Sequence, residues 1–161
     1  MVLGICPDRP DPGFGYIIPG AALAGAAGPA AFDVLAFHEK PAPKVAAHLI
    51  ARGGLWNSFV MVFRIDTMLR LLRAKMPAEF MRMRAAHQGP LSAARTYAAL
   101  APWNFSNRLM TAITEHLAVL RVEGVHWSDW GTPDAIRRSL LVLTQQPKWS
   151  VRCQDTDPDR V

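Results

Sequence analysis

The chain has 161 residues and a formal net charge of +5, and 50% of its residues are hydrophobic while 19% are charged. This composition excludes a permanently disordered protein, and a chain of this length buries roughly 70% of its unfolded surface on folding. The two cysteines, Cys6 and Cys153, have no CxxC spacing, which argues against a disulfide framework or a thiolate zinc site. We therefore expect a packed core and free thiols in a reducing compartment.

The first third of the chain predicts two strands joined by irregular segments. Val2 to Cys6 is short, apolar and partly β-branched, and prolines and glycines over 7–15 break regular structure after it. Glycine and proline also punctuate 16–32, which predicts a loop or hairpin tip and not a membrane span. A second strand is predicted over Phe32 to His38, ending before Pro41. Because the start lacks a basic n-region, we expect no secretory signal, no membrane partner and a cytoplasmic location.

The middle of the chain contains one more strand and then turns helical. Lys44 to Arg52 has apolar residues at helical spacing, and Leu55 to Arg64 predicts a strand whose centre, Phe59 to Phe63, is buried on both faces. Further helices are predicted from Asp66 to Met76, over 78–100 with a break at Gly89, and from Asn104 to Leu117.

The excess positive charge lies within residues 64–95. Two carboxylates there, Asp66 and Glu79, stand against seven cations: Arg64, Arg70, Arg73, Lys75, Arg82, Arg84 and Arg95. At helical spacing such a run is typical of a solvated face, and no stacking-aromatic or finger motif accompanies it. We therefore expect no nucleic-acid partner.

The last third predicts strands over Leu117 to Val122 and Gly124 to Trp127, then a helix with Thr132 as its cap and Pro133 at its first position. Strands that alternate with helices favour an open α/β sheet. Ligands of such sheets bind beyond the carboxyl ends of the strands, where the polar motifs of this sequence fall.

Four polar segments stand out in chain order: Arg9 to Ile17 (RPDPGFGYI), Phe37 to Pro41 (FHEKP), Trp56 to Ser58 (WNS) and Trp127 to Pro133 (WSDWGTP). Together they resemble the sugar-1-phosphate nucleotidyltransferases, particularly mannose-1-phosphate guanylyltransferase-like proteins, whose pattern runs G[YF]GYI, [FV]xEKP, WNSG and WxDxG. The stretch 104–106 is also similar to one branch of that family. The resemblance implies a Rossmann-like open mixed sheet, incomplete at its N-terminal side, over 1–146, followed by a polar tail over 147–161.

The resemblance implies that the first two segments bind a sugar and its phosphate. Gly13 and Gly15 would leave backbone amides uncovered for a sugar hydroxyl. Glu39 would accept hydrogen bonds from two vicinal hydroxyls, and Lys40 would bring a cation to the phosphate as a substrate-binding and catalytic group. The alternative for Glu39 and Lys40 is a surface ion pair at the end of a strand.

The third segment would add an amide and a hydroxyl to the same site. Asn57 and Ser58 match the sugar-binding positions of the family, but Phe59 stands where the family usually has glycine. A benzyl group there would either crowd the pocket or turn away from it. The alternative is that Trp56 and Phe59 belong to the core and Asn57 caps a turn.

The fourth segment would supply the metal. The resemblance implies that Asp129 is catalytic because it ligates Mg²⁺, with nucleotide phosphates completing the coordination shell. As a single carboxylate in a turn, Asp129 has the alternative role of an Asx turn or a helix cap.

Family members also carry a glycine-rich GxGxR loop and a Pro-Lys element for the nucleotide, and neither precedes Val2 here. The resemblance thus implies the sugar-phosphate side of an enzyme that transfers a nucleotidyl group from a nucleoside triphosphate, GTP above others, to a sugar 1-phosphate and releases pyrophosphate. We expect the chain to be catalytically incomplete alone and to act as an oligomer or with a complementing N-terminal half. The alternative function is a non-catalytic sugar-phosphate-binding or regulatory module.

Overall fold

Five strands form the sheet in a computed structural model that describes residues 1–24, 31–87 and 89–143. They are β1 (Val2–Ile5), β2 (Gly15–Ala22), β3 (Ala31–Glu39), β4 (Leu55–Met61) and β5 (Ala118–Val122). Their order in the sheet is β1, β4, β2, β3, β5. β5 runs parallel to β1, and the other pairings are antiparallel, so the sheet is mixed as the sequence predicted.

The described strands close into a ring, which corrects the prediction of an open sheet. β5 pairs with β1 on one side and with the start of β3 on the other, where Phe32 lies opposite Val119. The β2–β3 ribbon has register shifts on both sides of Pro19, which has no ladder donor, and such irregularities bend a sheet. Gly4 also permits closure, because a Cβ atom there would lie 2.6 Å from Val119 Cγ2.

The segment after the first loop is a strand, although a loop or hairpin tip was predicted over 16–32. Tyr16, Ile17 and Ile18 are buried in β2 and pair with β3. Cross-strand pairing of these residues outweighs the local preference of the following glycine and proline for a loop. Residues 25–30 lie outside the described part of the chain.

β4 contains a bulge that the sequence pattern did not reveal. Gly4 lies opposite Asn57, but Val2 lies opposite Met61, so two steps along β1 match four along β4. The extra residues are accommodated where Phe59 adopts a φ of 60°.

The prediction that the centre of this strand is buried on both faces was wrong. Leu55 and Trp56 are 1% exposed, whereas Phe59 is 55% and Phe63 49% exposed. After the bulge the chain stays beside β1, since Val62 N donates to Met1 O at 2.9 Å, but the side chains of Phe59, Val60 and Phe63 lie on the surface.

Most of the helices lie in the second half of the chain. They are α1 (Pro43–Ala51), α2 (Ile65–Lys75), α3 (Pro77–Ala86), α4 (Pro90–Ala99), α5 (Phe105–Arg108), a 3-10 helix (Met110–His116) and α6 (Pro133–Val142). The predicted break at Gly89 and the predicted cap at Thr132, which accepts from Ala135 N, are confirmed. The segment 124–127 forms no strand, contrary to prediction. Within the described residues, no helix is both long and apolar enough to cross a membrane.

The chain divides into two compact units, Met1–Val125 and His126–Val161, and the sheet belongs to the first. Its core contains Val2, Ile17, Leu55 and Val119, each from a different strand, together with Met110 of the 3-10 helix. A second cluster, formed by Met76, Leu109 and Ile113, joins α2 to the 3-10 helix. In the second unit, α6 is described through Val142, and the predicted tail over 147–161 lies outside the described residues.

Candidate functional site

Three residues predicted to bind a sugar come together where β2 begins and β3 ends. Gly15 lies opposite Glu39 in the β2–β3 pairing. A Cβ atom at Gly15 would lie 2.8 Å from Glu39 Oε2 and 3.4 Å from Asn57 Cβ. Because glycine has no side chain, a carboxylate and an amide side chain can approach the backbone of β2 this closely. Such a set of donors and acceptors is suited to the hydroxyl groups of a sugar.

A fourth residue, Asn104, joins this group, although sequence reasoning gave it no role in binding. Its Nδ2 donates to Glu39 Oε1 at 3.4 Å, and its Oδ1 accepts from Asn107 N at 2.8 Å as the cap of α5. The likeness of 104–106 to one branch of the family was a signal, but nothing in the sequence connects Asn104 with Glu39. We call Gly15, Glu39, Asn57 and Asn104 the polar cluster.

The bulge in β4 sets the side chains of Asn57 and Ser58. Asn57 Oδ1 accepts from Phe59 N at 3.0 Å, and its Nδ2 donor has no partner among the described residues. Ser58 Oγ donates to Leu3 O at 2.7 Å and accepts from Val60 N at 3.2 Å, so it bridges β1 and the bulge. The Ser58 hydroxyl is therefore already hydrogen-bonded within the protein. Its contact with a sugar stays a prediction.

The alternative interpretation of this segment, that Trp56 and Phe59 are core residues and Asn57 caps a turn, holds in part. Asn57 does cap a turn, and Trp56 does belong to the core with 1% exposure. Phe59 is not core, and its ring lies edge-on to Phe105 with the centroids 5.8 Å apart. The benzyl group is thus held against α5.

Buried aromatic side chains hold the loop before β2. Trp56 Nε1 donates to Tyr16 Oη at 3.0 Å, and this hydroxyl in turn bonds both the N–H and the carbonyl of Asp11 at 2.9 Å. Phe14 packs edge-on against Trp56, with the centroids 4.8 Å apart. The amide of Gly13 was expected to be uncovered, but it donates to Asp11 Oδ1 at 2.9 Å in an Asx turn. That expectation was wrong because a nearby carboxylate satisfies the donor.

Lys40 follows the last residue of β3 in the left-handed backbone region, with a φ of 45°. Its N–H donates to Phe14 O at 3.2 Å, which ties the end of β3 to the loop before β2. The side chain is exposed, and within the described residues its ammonium group makes no ion pair. The alternative of an ion pair between Glu39 and Lys40 is therefore not observed.

Asp129 lies in the second unit, where it shapes a turn. Its Oδ1 accepts from Gly131 N at 3.0 Å, and Trp130 between them has a φ of 51°. This is the Asx turn that was weighed as an alternative, and it leaves Oδ2 without a partner among the described residues. The place of Asp129 beside the polar cluster stays a prediction.

Asp129 offers a magnesium ion one carboxylate oxygen, so most of the ligands of such an ion would have to come from elsewhere. Within the described residues, no group of three or more His, Cys, Asp or Glu side chains could hold a metal. Mg²⁺ commonly uses one or two carboxylates and takes its remaining ligands from phosphates and water. Asp129 Oδ2 could serve as one such carboxylate oxygen.

A model of the family described as Nucleotidyl transferase matches residues 1–146 of the chain. The chain belongs to this nucleotidyl transferase family. Two curated relatives are the mannose-1-phosphate guanylyltransferase ManC of Salmonella typhimurium (strain LT2) and the mannose-1-phosphate guanylyltransferase of Escherichia coli (strain K12). Each is 38% identical to this chain over 78 residues, which is 48% of this chain and 16% of the relative.

Two solved structures are similar to the chain. The mannose-1-phosphate geranyltransferase from Thermus thermophilus matches with a TM-score of 0.69 and 30% identity, over 91% of this chain and 40% of that one. The mannose-6-phosphate isomerase from Helicobacter pylori matches with a TM-score of 0.61 and 23% identity, over 80% of this chain and 50% of that one, and shows the fold alone. The chain thus spans half or less of the length of these relatives.

The backbone at Phe59 has a conformation that glycine, the residue of the WNSG pattern at this position, adopts readily. The φ of 60° lies in the left-handed region, which glycine enters without the clash that a Cβ atom causes. Glycine at this position would adopt the bulge conformation without strain, whereas this chain carries phenylalanine there.

Proposed function

We propose that the polar cluster and Lys40 bind a sugar 1-phosphate as the acceptor in a nucleotidyl transfer from GTP, with mannose 1-phosphate as the first sugar to test. The observation that supports this is the convergence of Gly15, Glu39 and Asn57, which stand on three different strands. Membership of the nucleotidyl transferase family supports the reaction class. The names of the curated relatives favour mannose and guanine over other sugars and bases.

Each residue has a chemical part in the proposed reaction. Glu39 accepts hydrogen bonds from sugar hydroxyls, Asn57 Nδ2 donates to one, and Lys40 balances the charge of the phosphate. An oxygen of the sugar phosphate then attacks the α-phosphorus of the nucleoside triphosphate, and the bond from that phosphorus to pyrophosphate breaks. This transfer depends on positioning and charge neutralisation, without a covalent enzyme intermediate.

We also propose that Asp129 Oδ2 ligates Mg²⁺ together with the phosphates of the substrates. Bound there, the ion would neutralise phosphate charge during the transfer. Ser58 and Gly13 contribute to the shape of the site through the bulge and the Asx turn that they stabilise.

Titration of the chain with mannose 1-phosphate, followed by calorimetry, tests the proposal. Glu39→Ala and Lys40→Ala should each weaken binding by about 1–3 kcal/mol, because each removes a charge-assisted hydrogen bond. Lys40→Ala should leave the backbone strain at this position unchanged, because lysine and alanine both carry a Cβ atom and are equally disfavoured at a φ of 45°.

Lys44→Ala is the matched control, because Lys44 is another exposed cation close by on α1. It should leave the affinity for mannose 1-phosphate within twofold of that of the parent chain, because solvent and salt screen the interaction of an exposed charge with a distant ligand. Equal affinities for the parent chain, Glu39→Ala and Lys40→Ala would show that the polar cluster does not bind the sugar phosphate.

A further inference from the structure

The Glu39 carboxylate has a hydrogen-bond partner and lies close to the backbone of Gly15. Oε1 accepts from Asn104 Nδ2 at 3.4 Å, and Oε2 lies 2.8 Å from the point where Gly15 would carry a Cβ atom. The carboxylate therefore lies between the bare backbone of β2 and the cap of α5. A side chain placed in this way can present its oxygens to a ligand in one orientation.

The amide of Asn104 is itself oriented by the helix that it caps. Its Oδ1 accepts from Asn107 N at 2.8 Å, so its Nδ2 is directed away from α5 and toward Glu39. The segment is anchored by Ser106, which is 5% exposed, and by Leu109, which is fully buried. α5 also packs beside β3, the strand that ends at Glu39.

We infer that Asn104 is a positioning residue that holds the Glu39 carboxylate in its ligand-binding orientation. The expected effect on ligand binding rests on the proposed function. The contact between Asn104 and Glu39 can be tested without any ligand. Preorganised side chains of this kind bind more tightly because less conformational freedom is lost on binding.

Two variants separate the contact from the cap. Asn104→Ser keeps a good capping oxygen and removes the donor to Glu39. Asn104→Asp keeps the cap and the size of the side chain but places a second carboxylate beside Glu39. In calorimetric titration with mannose 1-phosphate, Asn104→Ser should bind about 3-fold and Asn104→Asp about 10-fold more weakly than the parent chain.

A double-mutant cycle with Glu39→Gln gives a readout that a purely structural role would not move. Asn104→Asp should lower the urea midpoint when residue 39 is glutamate, because two carboxylates then repel each other. With glutamine at position 39 this loss should disappear, and with glutamate it should shrink in 1 M salt because screening is stronger.

The outcomes distinguish the inference from the proposed function. An Asn104→Asp loss that is equal in both backgrounds, or an Asn104→Ser affinity equal to that of the parent chain, would overturn the positioning role. A parent chain that does not bind mannose 1-phosphate, together with clear coupling in the cycle, would overturn the proposed function and support the contact between Asn104 and Glu39.

Discussion

Among the described residues, three that are not glycine have a positive φ: Lys40, Phe59 and Trp130. Each lies within or directly after one of the segments that resemble the nucleotidyltransferase pattern. Left-handed backbone costs roughly 1–2 kcal/mol at a residue with a Cβ atom, and such strain tends to cluster at functional sites. The positions of strain and of the motifs thus coincide, although they were identified by independent criteria.

The strain at Phe59 leads to a prediction about stability. Phe59→Gly should be more stable than Phe59→Ala by about 0.5–1 kcal/mol in urea unfolding, because both lose the ring contact with Phe105 but glycine alone relieves the left-handed backbone. The relief exceeds the extra entropy that glycine gains in the unfolded chain.

The neighbouring Val60 serves as the control for that comparison. It is 51% exposed and is not among the residues with a positive φ. At this position glycine should therefore be less stable than alanine. If glycine were also the less stable replacement at position 59, backbone strain would not be what distinguishes that residue.

At the scale of elements, ion pairs connect the helices that follow β4. Arg108 in α5 pairs with Glu79 in α3 at 2.7 Å, and Lys75 in α2 pairs with Glu115 in the 3-10 helix at 3.1 Å. Lys75, one of the seven cations within residues 64–95, therefore has a carboxylate partner. Glu79, a carboxylate of the same range, pairs with Arg108, which lies outside that range. The pKa of Glu79 lies below its ordinary value because its own backbone N–H and then Arg108 donate to the carboxylate.

This lowered pKa predicts a stability that depends on pH. A carboxyl group with a lowered pKa in the folded state contributes stability above its ordinary pKa of about 4.3, and the contribution is lost as the pH falls toward the folded value. Glu79→Gln should therefore be less stable than the parent chain at pH 7, and the difference in urea midpoint should shrink steadily as the pH is lowered through and below about 4.

Glu123→Gln provides the comparison for this pH series. Glu123 is an exposed carboxylate whose ion pair with Arg121 is longer, at 3.8 Å. Its replacement should change the urea midpoint less than Glu79→Gln does at pH 7. A difference between Glu79→Gln and the parent chain that stayed unchanged as the pH fell would mean that the ion pair with Arg108 is not its source.

At the scale of the whole molecule, the chain matches a part of its relatives, and it contains no GxGxR sequence among its 161 residues. We predict that this chain alone, with Mg²⁺, GTP and mannose 1-phosphate, releases no pyrophosphate, because the loop amides and arginine that would bind the nucleotide phosphates are not in it. Pyrophosphate release in a coupled phosphate assay would contradict this. Binding of the sugar phosphate without turnover would agree with both the acceptor-side role and the regulatory alternative.

Local pattern was sufficient for several elements. β3 and α1 are within two residues of their predicted bounds, and the Thr132 cap begins α6 as predicted. These elements depend on apolar spacing and on capping residues close in the chain, which a sequence displays directly. The order of the four polar segments likewise indicated the family that the comparison with known proteins supports.

Other features depended on contacts between distant residues. The closed sheet requires β5 to reach both β1 and β3, and the exposure of Phe59 requires a bulge set by the pairing of β4 with β1. Pairing register is a property of two strands together, so the period of one strand does not contain it.

The sequence by itself indicated the family and most of the elements, and it singled out Gly15, Glu39 and Asn57 as candidate binding residues. Tertiary structure decided that these three residues lie together and that the Gly13 N–H donates to Asp11. It also decided that Asn104 donates to Glu39, which lies 65 positions away in the chain. The physical reason is that hydrogen bonds between side chains act over a few ångströms of space, whatever the separation of their residues along the chain.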